Sequence, residues 1–143
     1  MNKTKNFTHN KSKYKYIFCD IAGLIEFFKL DLRIIPNFES IIKAHRPNDI
    51  DFKYTKIINE DIQVYLYEKA KTYYQIIFNP ENYEFVSVAR GMCMNKSDTK
   101  ICMLSMVHTN SLYRNQKFCQ KNVDYLIQNV NSIFFIYKNL IIK

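Results

Sequence analysis

Apolar positions in the stretch 16–30 (YIFCDIAGLIEFFKL) recur every three or four residues, at Ile17, Ile21, Leu24, Ile25 and Phe28, a spacing that predicts an amphipathic helix. A second, shorter helix is predicted over Phe38–His45. From about residue 50 the period changes. DFKYTKII (51–58), IQVYLYE (62–68), TYYQIIF (72–78), EFVSVARGMCM (84–94) and KICMLSMVHT (100–109) are short runs rich in aromatic and β-branched side chains, and each predicts a strand. NPEN (79–82) and NKSD (95–98) separate the last three with turn-forming residues, so these three are expected to form an antiparallel meander. Helical spacing returns over 116–130, and SIFFIYKN (132–139) predicts a buried strand. Helices, meander, helix and strand in that order define an α+β fold with a mostly antiparallel sheet.

Composition narrows this little. A chain of 143 residues is one domain's worth, and 48% hydrophobic against 24% charged residues excludes a wholly disordered chain. Ile, Lys, Asn, Tyr and Phe are abundant beside two Gly and three Pro, a bias attributed first to AT-rich coding. The net charge of +8 is informative only through its location. Lys3, Lys5, Lys11, Lys13 and Lys15 precede the first acid, Asp20, leaving +3 for the rest. The organisation expected is therefore a disordered basic tail over residues 1–13 and one folded domain over 14–143. The tail has no apolar centre of a signal peptide, and no apolar run reaches the roughly 20 residues of a membrane span. A cytoplasmic protein without membrane partners is expected.

Cys19, Cys93, Cys102 and Cys119 form no C-x-x-C pair, which fits a reducing compartment and free thiols. Cys93 and Cys102 are placed to face each other across the last hairpin, with His108 further along. Zinc-type spacing is absent, so no metal site is expected.

The chemistry concentrates at residues 113–127 (YRNQKFCQKNVDYLI), where Arg114, Asn115, Gln116 and Lys117 crowd the start of a predicted helix. The first amides of a helix lack intrahelical partners and carry the positive end of its dipole, so such a start accepts phosphate. Arg114 adds a fork of donors and Lys117 a point charge.

With its surroundings, KICMLSMVHTNSLYRNQKFCQKNVDYLI resembles the central motif of the GNAT N-acetyltransferase superfamily, where a strand leads into Q/R-x-x-G-x-G/A and then a helix. Arg114 opens the six-residue signature that ends at Cys119, and Phe118 fills its apolar position. Lys117 and Cys119 stand where the family has Gly and Gly or Ala. Asn139, in the predicted last strand, lies near a frequent Asn of the family. The resemblance covers about residues 83–139 and implies a GNAT-like sheet with N-terminal helices and a strand-helix-strand unit binding acetyl-CoA. Val107, His108 and Thr109 would pair with the pantetheine arm as an added strand does, between two diverging strands. Arg114, Asn115, Gln116, Lys117, Phe118 and Cys119 would hold the pyrophosphate.

Transfer of the acetyl group to an amine needs a base and an oxyanion donor. His108 and Glu84 are the candidate bases, and Tyr137 stands in as general acid for the Tyr that the family carries beyond Lys143. Two other classes of function stay open. One is an inactive GNAT-like interaction module. The other is a single-stranded nucleic-acid binder using the Lys tail and Tyr65, Tyr67, Tyr73 and Tyr74 for stacking, against which the mildly basic body argues. An exposed last strand also offers an edge for a homodimer.

Overall fold

The computed structural model describes residues 2–6, 13–46, 48 and 53–142. Tyr16–Cys19 is buried at every position, which suits a strand covered on both faces rather than a one-sided helix. Lys15–Asp20 is accordingly β2, and the helix predicted from residue 16 starts only at Ile21. Asp20 sets that start. Its side chain accepts the Gly23 amide at 2.9 Å and caps α1 (Ile21–Leu30). Asn2–Asn6, inside the stretch expected to be a disordered tail, forms β1 and pairs antiparallel with β2; residues 7–12 lie outside the described residues.

α2 (Ile34–His45) contains the helix predicted over Phe38–His45. α3 (Tyr54–Glu68) replaces the two strands predicted over 51–58 and 62–68, of which residues 51 and 52 lie outside the described residues. Its buried positions, Ile57, Ile58 and Asp61, follow a helical and not an alternating pattern. Lys69 ends it in the left-handed region at φ 59°, donating its N–H to the Tyr65 carbonyl at 3.1 Å.

β3 (Lys71–Asn79), β4 (Glu84–Lys96) and β5 (Thr99–Thr109) are the predicted meander. The five strands lie in the order β1-β2-β3-β4-β5, every neighbouring pair antiparallel. After a 3₁₀ turn (Ser111–Tyr113), α4 (Phe118–Ile142) runs straight through 132–139, so the predicted final strand is helix. No Gly or Pro interrupts 118–142, and extending an existing helix adds a hydrogen bond for each residue ordered. The aromatic run therefore propagates α4.

One face of the sheet is covered by α1, α2 and α3. Phe38 lies at its centre, with ring centroids 5.0 Å from Phe28 and 5.5 Å from Phe85. The opposite face receives α4, whose Leu126 and Val130 pack on Phe18, Tyr73, Ala89 and Cys93, and whose Phe118 packs on Tyr16, Ile77 and Val86. Polar bonds fix its rotation: Asn122 Nδ2 donates to the Gln75 carbonyl at 2.8 Å and Asn129 Nδ2 to Gln75 Oε1 at 2.8 Å, all three residues buried. This is an α+β fold with N-terminal helices and an antiparallel sheet, an arrangement compatible with a GNAT-type fold.

Candidate functional site at the edge of β5

β5 is one of the two edge strands, bonded to β4 along its length from Lys96↔Thr99 to Ser87↔Thr109. Because 132–139 is helical, the expected cleft between two diverging strands does not form; β5 instead presents an edge that no strand among the described residues covers. Mid-strand, the register passes from Arg90↔Met106 to Gly91↔Leu104, leaving Ser105 bulged. The Ser105 hydroxyl donates to the Arg90 carbonyl at 3.1 Å, and its oxygen lies 3.3 Å from Arg90 Nη1.

Alternation along β5 separates the candidate residues. Val107, opposite Ala89, faces α4, whereas His108, opposite Val88, faces the helical layer of α1–α3. Thr109 faces α4 with its hydroxyl 3.2 Å from that of Ser87. His108 is half-buried. Burial, then the charges of His45 and Arg114, hold its pKa below the ordinary 6.5, so the ring is neutral near physiological pH.

Asn110 turns the chain out of β5. Its N–H donates to Val86 O at 2.9 Å, its Nδ2 to Phe85 O at 3.3 Å, and its Oδ1 accepts the Leu112 amide at 3.1 Å. Tyr113 fixes the next step: its hydroxyl donates to Glu84 Oε1 at 2.9 Å and accepts from Asn79 Nδ2 at 3.3 Å. Its ring lies edge-on to Tyr14 and Phe118. Glu84 also accepts from the Asn82 side-chain amide at 2.5 Å, so this candidate base is engaged in holding the loop.

Arg114, Asn115, Gln116 and Lys117 follow, all exposed, and α4 begins at the buried Phe118. Asn115 and Lys117 both have φ 65°. Lys117 thus holds the left-handed conformation that favours Gly, at the position where the signature has Gly. The first α4 turn carries no acid, and Cys119 is an exposed free thiol within it. The loop leads directly into the first turn of α4, whose amides lack intrahelical partners and can donate to phosphate oxygens.

On the helical face of the bulge lies a pocket of about 160 Å3 lined by His45, Arg46, Glu60, Tyr74, Arg90 and Ser105, with Met106 at its wall. Behind it the Tyr74 hydroxyl donates to Asp61 Oδ2 at 2.7 Å while the Arg90 guanidinium contacts Asp61 Oδ1. Asp61 and Tyr74 are buried; burial alone would lower the Arg90 pKa, and Tyr74 and then Asp61 raise it above its ordinary value. Arg46 and Glu60 pair at the rim at 2.8 Å.

The fold therefore brings Glu84, Tyr113 and the loop into one cluster, and its electrostatics link His108 to Arg114. Tyr137 lies on α4 rather than on a strand, and its side chain is outside the described residues. The pocket escaped the sequence reading. Its legible signals were Arg90 within an apolar strand and Asp61 on the inward stripe of α3, since buried charges require partners. The proposed stacking tyrosines divide: Tyr73 and Tyr74 are buried in the core, and only Tyr65 and Tyr67 are exposed.

Comparison with known protein families, curated proteins and solved structures returned no match to this chain. Among the described residues no helix is long and apolar enough to cross a membrane. No group of three or more His, Cys, Asp or Glu side chains among them is placed to hold a metal ion. The architecture suits a CoA-binding module.

Proposed function

We propose that the chain binds acetyl-CoA and transfers its acetyl group to an amine. The observation that carries this reading is the loop at the exit of β5, left-handed at Asn115 and Lys117 and leading into the amino end of α4. The diphosphate would sit on the amides of residues 114–119, with Arg114 and Lys117 as counter-charges. Pantetheine would run along the open backbone edge of β5 at Val107, His108 and Thr109, as an added strand does. The thioester would then reach the Ser105 bulge, beside the polar pocket that would admit the amine.

Direct attack by the amine nitrogen on the thioester carbonyl forms the amide and expels the CoA thiolate. The neutral His108 is the base assigned to take the amine's proton. Glu84 positions Tyr113 and through it the loop, and the leaving thiolate takes its proton from solvent. The sequence and fold leave the acceptor beyond its amine unnamed.

Mass spectrometry of products formed from acetyl-CoA and a panel of primary amines tests the proposal. An acetylated amine is expected, with a rate about 100-fold lower for His108→Ala. A second reading, an inactive GNAT-like interaction module, is favoured by the helix standing where the next strand was expected. Absence of product with every amine, in a protein that still binds CoA, would select that module.

A further inference from the structure

Cys93 of β4 and Cys102 of β5 are direct register partners near the hairpin turn. Opposed residues in an antiparallel pair have Cα atoms roughly 4.5 or 5.5 Å apart, and both values fall within the roughly 4.4–6.8 Å that a disulfide bridges. Their side chains leave the sheet on the same face, toward α4, and line one groove of about 190 Å3 with Leu104, Val123, Leu126 and Ile127. Cys93 is buried, Cys102 is exposed, and both are free. Neither remaining cysteine shares this arrangement: Cys19 is buried in β2, and Cys119 lies beyond the other end of β5.

We infer that Cys93 and Cys102 form a dithiol site that small disulfides oxidise to an intramolecular cross-strand disulfide. The exposed Cys102 thiolate attacks one sulfur of the small disulfide, expelling the first thiolate and leaving a mixed disulfide on Cys102. Cys93 then gives up its proton to solvent and attacks the Cys102 sulfur, expelling the second thiolate. Two protein thiols lose two electrons and two protons, and one small disulfide becomes two thiols. Burial, then the neighbouring Cys102 thiol, raises the pKa of Cys93, which makes the second step the slower one. The closed bridge pins the turn end of the β4–β5 hairpin and reshapes the wall of the groove under α4.

The test exposes the reduced full-length chain to oxidised glutathione, traps free thiols by alkylation, and maps non-reduced peptides by mass spectrometry. A Cys93–Cys102 cross-link is expected in the wild type, preceded by a transient glutathione adduct on Cys102. Cys93→Ala should retain that adduct permanently. Cys102→Ser, changed at an exposed position, should give no intramolecular cross-link and keeps the test valid if the buried substitution impairs folding. A wild type that holds glutathione on Cys102 without cross-linking, or that links other cysteines or separate chains instead, would overturn the inference.

Discussion

Lys117 occupies φ 65°, where a side chain with a Cβ costs roughly 1–2 kcal/mol relative to the right-handed region. Lys117→Gly removes that cost and gives back part of it as chain entropy, so a net stabilisation of about 0.5–1 kcal/mol is expected in denaturant unfolding. A loss of stability would show that the Lys117 side chain holds the loop. His108 supplies a second residue-scale prediction, this time in pH. Its folded pKa lies below 6.5, so as pH falls past about 6.5 the unfolded chain takes up a proton that the folded chain resists. Stability should be complete above that value and decline below it, and His108→Gln should make the decline shallower in unfolding curves measured across that range. An unchanged slope would place the titration elsewhere. The candidate loop was legible at this scale because its cations and its helix start are local features. The polar pocket was not, because Asp61, Tyr74 and Arg90 meet only through tertiary packing.

Among the elements, the β5-to-α4 connection depends on Asn110, whose side chain bonds Phe85 O and the Leu112 amide. Asn110→Ala should cost about 1–2 kcal/mol, read by chemical denaturation. A neutral result would mean that the Tyr113 contacts alone define the turn. The meander was readable because NPEN and NKSD punctuate it. α3 and the second half of α4 were misread as strands because their aromatic and β-branched residues have strand propensity, which the packing of a helical stripe in α3 and the uninterrupted length of α4 override. β2 was hidden inside a helical pattern because Tyr16–Cys19 is buried on both faces and shows no alternation.

In the whole molecule, the helical layer of α1–α3 and the single α4 sandwich a sheet whose β5 edge, beside the loop, is covered by no strand among the described residues. α+β class and sheet order in the meander followed from the sequence. The layer order did not, since it depends on which side each connection crosses. Isothermal calorimetry with CoA, comparing the wild-type chain with the double variant Arg114→Ala, Lys117→Ala, tests most directly whether this edge and loop receive the cofactor. Saturable binding that the double variant weakens at least about 10-fold, roughly 1.4 kcal/mol, is the predicted result. No heat with the wild type, or equal affinity in both proteins, would contradict it.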